Sequence, residues 1–79
     1  MLFNVFARDD RGMLVAPTYA PLPVHVADDP GVRHVGYADV AFRDLSTRLA
    51  ARIADDGYGQ PTDADEARMR ATMWPVRRG

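Results

Sequence analysis

The residues best suited to chemistry in this sequence are three pairs of adjacent aspartates, each closely followed by a glycine. They lie in segments 9–12, 28–31 and 55–57. Paired carboxylates can bind Ca²⁺ or act as the acid and base of a hydrolase. None of the three segments has the alternating ligands and closing glutamate of a calcium loop. Because aspartate and glycine are also typical turn residues, we predict that the three pairs mark turns.

Two histidines are the next candidates, because imidazole binds metal ions and titrates near neutral pH. In one hairpin register His25 lies opposite His34, and the pair could then bind a divalent metal with Asp28 or Asp39 nearby. In the other register the two rings lie apart. Their spacing matches no known metal motif, so we predict two exposed strand residues and no metal site.

Nucleophilic catalysis lacks its usual residues. The chain has no cysteine, and Ser46 is its only serine, without the Gly-x-Ser-x-Gly frame of a nucleophile elbow. A glycine-rich phosphate loop is also absent from the sequence. We therefore predict that the protein is not an enzyme and needs no cofactor.

Positive charge is concentrated at the C-terminal end. Residues 1–66 contain six arginines and eleven acidic residues, whereas residues 67–79 contain four arginines and no acid. These arginines could contact phosphates while the single tryptophan stacks on a base. The candidate nucleic-acid residues are Arg68, Arg70, Trp74, Arg77 and Arg78.

The elements that must position these residues begin with strands. Residues 1–38 are predicted to form two β-hairpins, one from segments 2–7 and 13–16 and one from segments 24–27 and 32–37. In the first strand, Leu2 and Phe6 lie on the opposite face from its other apolar residues. In the last strand, alternation places Val35 and Tyr37 on one face and His34 on the other.

An amphipathic helix is predicted over residues 39–56. Asp39 is a suitable N-cap, and Gly57 is a suitable residue for the left-handed position after the helix. Apolar residues recur every three or four positions, which is the spacing of one helix face. They are Phe42, Leu45, Leu49 and Ile53.

A second helix is predicted over residues 62–74, followed by a basic tail at 75–79. Thr62 supplies a capping hydroxyl, and acidic residues follow it in the first turn. Met69 and Met73 lie away from the stripe formed by the alanines and Trp74. A helix with apolar residues on two sides often contacts two surfaces.

Together these elements predict an α+β fold. A small antiparallel β-sheet of two hairpins packs against one amphipathic helix, with a second C-terminal helix beside it, in a single domain over residues 1–79. The N-terminal residues lack the long apolar stretch of a signal peptide, and no apolar run approaches 18 residues. We expect a cytoplasmic protein without a membrane contact.

The function predicted from the sequence is binding to a larger protein. Without a catalytic set, and with apolar residues left on second faces, we predict a small non-enzymatic regulator or inhibitor of a larger protein assembly, such as a phage or mobile-element accessory protein. A homodimer and a nucleic-acid partner are the alternatives. The predicted protein-contact residues are Leu2, Phe6, Met69, Met73, Trp74, Arg77 and Arg78.

Overall fold

The computed structural model of this chain describes residues 1–10, 12–20 and 22–75. The sheet strands form one antiparallel sheet in the order β2-β1-β3-β4, which confirms the predicted α+β class. In chain order the elements are β1 (Leu2–Arg8), β2 (Met13–Pro17), α1 (Val24–Ala27), β3 (Val32–Asp39), a 3₁₀ turn (Phe42–Asp44), α2 (Thr47–Asp56), α3 (Asp63–Thr72) and β4 (Trp74–Pro75).

The hydrophobic core lies between one face of the sheet, the inner face, and helices α2 and α3. On β1, Phe3 and Val5 point to this face and are fully buried, because alternate residues of a strand share a face. Leucine and isoleucine of α2 and a methionine of α3 close the core from the other side. The buried cluster contains Phe3, Val5, Met13, Val15, Ala38, Val40, Leu45, Leu49, Ile53 and Met69.

The first predicted hairpin is confirmed, with Ala7 opposite Met13 beside the turn. The strand predicted at 24–27 is wrong, because these residues form the single helical turn α1. The amides of Val26 and Ala27 bond to the carbonyl of Pro23, whose fixed φ suits the start of a helix. Strand β3 therefore pairs with β1 instead of with a neighbour at 24–27.

The helix predicted over 39–56 begins later than expected, at Thr47, and Asp39 is not its N-cap. Asp39 stays in the strand ladder between β3 and β1, and a 3₁₀ turn separates it from α2. Ser46 is the N-cap instead, and its Oγ accepts a hydrogen bond from the Leu49 amide at 3.1 Å. The helical spacing of apolar residues runs without a break from Phe42 to Ile53, so the pattern did not reveal that α2 begins only at Thr47.

Two other helix ends were predicted correctly and one was not. Gly57 follows α2 with a φ of 82°, the left-handed conformation that glycine adopts most readily. Thr62 caps α3 as expected. The predicted end at residue 74 is wrong, since α3 ends at Thr72 and Trp74 begins β4. Beyond Pro75, the predicted basic tail lies outside the described residues.

Candidate protein-binding face

The sheet face that points away from α2 and α3, the outer face, carries the predicted contact residues of β1. Leu2, Asn4 and Phe6 alternate with the buried residues of this strand and therefore share the outer face. In the ladder with β3, Tyr37 lies opposite Asn4 and His34 lies opposite Phe6. The outer face thus combines side chains from the two central strands.

A β-bulge in β3 brings His34 onto this face. Val5 pairs with Gly36 and Phe6 pairs with His34, so Val35 is an extra residue between the two pairs. Val35 packs against the core. Strict alternation would have placed His34 and Tyr37 on opposite faces, as the sequence pattern predicted, and the bulge reverses that outcome.

Four rings form a continuous aromatic row on the outer face: Phe6, His34, Tyr37 and Trp74. The ring centroids are 5.1 Å apart between Phe6 and His34, 4.9 Å between His34 and Tyr37, and 6.1 Å between Tyr37 and Trp74. Aromatic pairs at these separations attract each other beyond the effect of burial. His34 is also fixed by a 3.0 Å hydrogen bond from Nε2 to the carbonyl oxygen of Gly36.

The aromatic row is accessible to a partner. Trp74 is 44% exposed, His34 is exposed, and Phe6 and Tyr37 are half-buried. Leu2 extends the apolar surface at one end and is also exposed. Contiguous aromatic and aliphatic side chains of this kind on a surface are typical of a binding site.

The remaining part of the outer face is covered. Leu14 lies opposite Phe6 on β2 and would share the outer face, yet it is buried. It lines a small cleft together with His25 and Val26 of α1. Arg8 of β1 and Val32 of β3 line the same cleft, so α1 lies at the turn end of the outer face, while the side chains of the aromatic row stay exposed or half-buried.

The short strand β4 places Trp74 in the row because it approaches β3 very closely at Gly36. A Cβ atom on Gly36 would lie 2.5 Å from the carbonyl oxygen of Trp74, so no side chain fits there. Trp74 pairs with Tyr37 in the ladder. The preceding residue, Met73, packs against the core instead. Consecutive residues thus contribute to opposite faces of the sheet.

The structure separates the predicted protein-contact residues into three groups. Leu2, Phe6 and Trp74 lie together on the outer face. Met69 is 0% exposed and Met73 packs on the core, so the prediction that these methionines are available to a partner is wrong. Flexible methionine side chains fill the space between α3 and the sheet, while the alanines of α3 face solvent. Arg77 and Arg78 lie outside the described residues.

The predicted nucleic-acid residues do not share one surface in the described part of the chain. Arg68 and Arg70 are exposed on α3, which packs against the inner face, whereas Trp74 belongs to the outer face. Arg70 Nε lies 3.3 Å from a carboxylate oxygen of Glu66. Arg68 lines a shallow pocket that also contains Asp39 and Asp44. These acidic neighbours weaken the attraction of both arginines for phosphate.

A buried carboxylate, Asp65, joins the starts of α2 and α3. It is 1% exposed. Its Oδ1 accepts a hydrogen bond from the Ser46 amide at 2.7 Å. Its Oδ2 accepts hydrogen bonds from Ser46 Oγ at 2.6 Å, Thr62 Oγ1 at 2.8 Å and the Thr62 amide at 3.1 Å. Burial alone would raise the pKa of Asp65, but the hydrogen bonds from Ser46 and Thr62 outweigh burial and hold that pKa below its ordinary value.

This network holds the starts of α2 and α3 together. Both oxygens of Asp65 are occupied by donors, and Ser46 Oγ donates to Asp65 while it accepts from the Leu49 amide. Sequence analysis found the Thr62 cap but missed the link to Ser46. Ser46 and Asp65 are 19 positions apart, and no local pattern connects residues at that separation.

The alternative register in which the two histidines face each other does not occur, because His25 lies in α1 and His34 lies opposite Phe6. Both histidines are exposed as predicted, but His25 is not a strand residue. In the part of the chain that the structure describes, no group of three or more acidic or histidine side chains is arranged to hold a metal ion.

Within the described residues, no helix has the length and apolarity needed to cross a membrane. Comparisons with known protein families, curated proteins and solved structures gave no match.

Proposed function

We propose that this protein is a non-enzymatic binding module that contacts a larger protein through the aromatic row and Leu2. The observation that carries the proposal is that these side chains, each exposed or half-buried, lie next to one another on β1, β3 and β4. Phenylalanine, tyrosine and tryptophan are enriched at protein interfaces. A role as regulator or inhibitor of an assembly, and a cytoplasmic location, stay predictions from the sequence.

The rigidity of the row supports the same proposal. β1 is paired on both sides, with β2 and β3, and the ring contacts hold Phe6, His34, Tyr37 and Trp74 against one another. Side chains that are ordered before binding lose little conformational entropy when a partner arrives. A preorganised apolar surface can therefore bind a protein tightly through a few residues.

Affinity capture from cells of the source organism tests the proposal. The bait is the tagged chain, and the test variant is Tyr37→Ala/Trp74→Ala, which removes two rings from the row. The control is Phe42→Ala, because Phe42 is 38% exposed but lies in the turn before α2. We expect one stoichiometric protein partner with the wild type and the control, and recovery reduced at least tenfold with the test variant.

Circular dichroism of each variant establishes that it is folded. Equal recovery of the partner by wild type and test variant, or the absence of any protein partner, would overturn the proposal.

Nucleic-acid binding is the alternative outcome, with Arg68, Arg70, Trp74, Arg77 and Arg78 as the contact residues. A labelled single-stranded oligonucleotide and a duplex are titrated at low salt. If the chain binds either nucleic acid, if this binding weakens as salt rises, and if Arg77→Ala/Arg78→Ala abolishes it, then nucleic-acid binding is the function and the protein-binding proposal is wrong. Residues 1–66, which contain eleven acidic residues and six arginines, favour the protein partner.

A further inference from the structure

We infer that helix α1 is a displaceable cover at the turn end of the outer face, and that its opening exposes Leu14 and Val32 beside the aromatic row. The inference goes beyond the proposed function, because opening needs no partner. It follows from the burial of α1, from its hydrogen bonds and from the cleft beneath it.

Burial holds α1 only weakly on the sheet. Every residue from 22 to 30 is exposed or half-buried. Val24 at the start of the helical turn is 73% exposed, and Val26 is only half-buried. Most helices in proteins stay docked because they bury an apolar face. Since α1 leaves much of its apolar surface in water, the free energy that docks it on the sheet is small.

The hydrogen bonds of this segment all join residues close in sequence. The amides of Val26 and Ala27 bond to the carbonyl of Pro23, and the amide of Asp28 bonds to the carbonyl of Val24, each at 2.9 Å. Among the described residues, no hydrogen bond or ion pair joins segment 22–30 to β1, β2, α2 or α3. The helical turn can therefore leave the sheet with its own hydrogen bonds intact.

A second segment over Leu14 is anchored, in contrast to α1. Tyr58 lines the cleft with Leu14, and its neighbour Gly59 exchanges two backbone hydrogen bonds with Val15 of β2, each at 3.0 Å. Gly59 is also so close to α2 that a Cβ atom there would lie 2.9 Å from Leu49 Cδ1. Of the two covers over Leu14, only α1 is without such bonds.

The side chains beneath α1 would extend the aromatic row. Leu14 lies opposite Phe6 and is 4% exposed, yet it is not among the residues of the core cluster. Val32 lies two residues before His34 on β3 and shares its face. Leu14 and Val32 line a cleft of about 180 Å³ together with Val26. Opening of α1 thus adds two aliphatic side chains to the apolar surface.

The open form is the minor one, because it exposes Leu14 and Val32 to water while it frees the chain of segment 22–30. Such local openings require less free energy than unfolding of the whole domain. A partner that contacts Leu14 would select the open form, and its apparent affinity would rise with the open fraction. This consequence rests on the proposed function, whereas the opening itself does not.

Labelling of introduced cysteines with a maleimide tests the inference, because the natural chain contains no cysteine. The test variant is Leu14→Cys, and the control is Val15→Cys, since Val15 is 0% exposed in the core. We expect Leu14→Cys to react at least about 100-fold faster than Val15→Cys. Its rate should be nearly constant at low urea, because opening of α1 exposes little surface.

A matched pair of substitutions links the labelling to α1. In the Leu14→Cys chain, Val26→Ala removes a side chain that lines the cleft, whereas Val24→Ala makes the same change at a largely exposed position. We expect Val26→Ala to accelerate labelling roughly three- to tenfold and Val24→Ala to change it less than about twofold. Urea unfolding followed by circular dichroism establishes the global stability of each variant.

Two results would overturn the inference. In the first, Leu14→Cys reacts only as fast as global unfolding allows, with the urea dependence of Val15→Cys. In the second, Val26→Ala and Val24→Ala leave the labelling rate equally unchanged. Neither measurement involves a partner, so each decides the inference even if affinity capture fails and the proposed function is wrong.

The consequence for binding is tested with the captured partner in the natural chain background. The dissociation constant should fall with Val26→Ala by the factor by which that substitution accelerates labelling, and should be unchanged with Val24→Ala. Equal affinities of the two variants would show that the partner binds the closed form. That result would overturn the role of α1 in binding and leave the aromatic row as the contact surface.

Discussion

The inner and outer faces of the sheet are built from the same strands, yet one is closed and the other is partly exposed. On β1, Phe3 is 0% exposed beneath α2 and α3, while Phe6 is half-buried in the aromatic row. Two long helices cover the inner face, and only the single turn α1 covers part of the outer face. The same residue type therefore stabilises the fold at one position and forms a candidate binding surface three positions later.

Truncation of these two phenylalanines tests the difference between the faces most strongly. Phe3→Ala should lower the free energy of unfolding by about 3–5 kcal/mol, because it leaves a cavity in the core. Phe6→Ala should cost about 1–2 kcal/mol, because its site is open to solvent and leaves no closed cavity. Urea unfolding followed by circular dichroism measures both values.

A domain of this size has little stability to lose, so Phe3→Ala could unfold the chain entirely. Phe3→Leu is the milder companion variant, and it should still cost more than Phe6→Leu. Equal costs at the two positions would show that the outer face is packed as tightly as the inner one.

Asp65 provides the second test, because it holds together the two helices that close the inner face. Asp65→Asn should lower the unfolding free energy by about 2–3 kcal/mol, since an amide cannot accept all the hydrogen bonds from Ser46 and Thr62. The folded pKa of Asp65 is lowered, so its contribution is fully present above the unfolded pKa and is lost as pH falls through the folded pKa.

The difference between wild type and Asp65→Asn should therefore be constant above about pH 5 and should shrink below about pH 4. Asp63→Asn is the matched control, because Asp63 is exposed in the same first turn of α3. A pH-independent difference, or the same pH dependence in the control, would contradict the assignment.

Gly36→Ala tests whether the close approach of β4 is needed to complete the row. The new methyl group would overlap the Trp74 carbonyl oxygen, and release of β4 from β3 removes the overlap at a cost of about 1 kcal/mol or less. We expect β4 to separate from β3 and Trp74 to leave Tyr37. Since Trp74 is the only tryptophan, its fluorescence should shift to longer wavelength. An unchanged spectrum would show that the ladder tolerates a side chain at this position.

Sequence pattern predicted those parts of the fold that depend on neighbouring residues. Turn residues located the first hairpin, and the glycine at 57 and the hydroxyl of Thr62 located helix ends. The strand at 24–27 was mispredicted because valine alternation is equally compatible with one helical turn after Pro23. The start of α2 was mispredicted because pairing of Asp39 with β1 is a contact between residues distant in sequence.

The candidate binding face was predicted only in part, for a similar reason. Leu2 and Phe6 were found from the alternation of one strand. His34 and Tyr37 were missed as contact residues, because the bulge at Val35 changes which face each one occupies. A glycine inside a strand, such as Gly36, is a weak signal of a bulge, but it does not identify which neighbouring residue is the extra one. The positions of Met69 and Met73 likewise depended on the sheet that they pack against.

The smallest expected effect concerns two consecutive residues that the structure assigns to opposite faces. Met73→Ala removes a side chain that packs on the core and should cost about 2 kcal/mol. Trp74→Ala should cost about 1 kcal/mol or less, although tryptophan is larger. Trp74 lies in a two-residue strand, so its loss can cost no more than the local free energy of docking β4 onto β3.

The two values come from urea unfolding monitored by far-ultraviolet circular dichroism, which does not depend on the tryptophan signal. If Trp74→Ala destabilises the chain as much as Met73→Ala, then the aromatic row serves mainly to hold the sheet together. If Trp74→Ala costs little unfolding free energy while Tyr37→Ala/Trp74→Ala no longer captures the partner, then the main role of the aromatic row is contact with that partner. The comparison of Met73 with Trp74 then distinguishes a residue that stabilises the fold from a neighbouring residue that binds the partner.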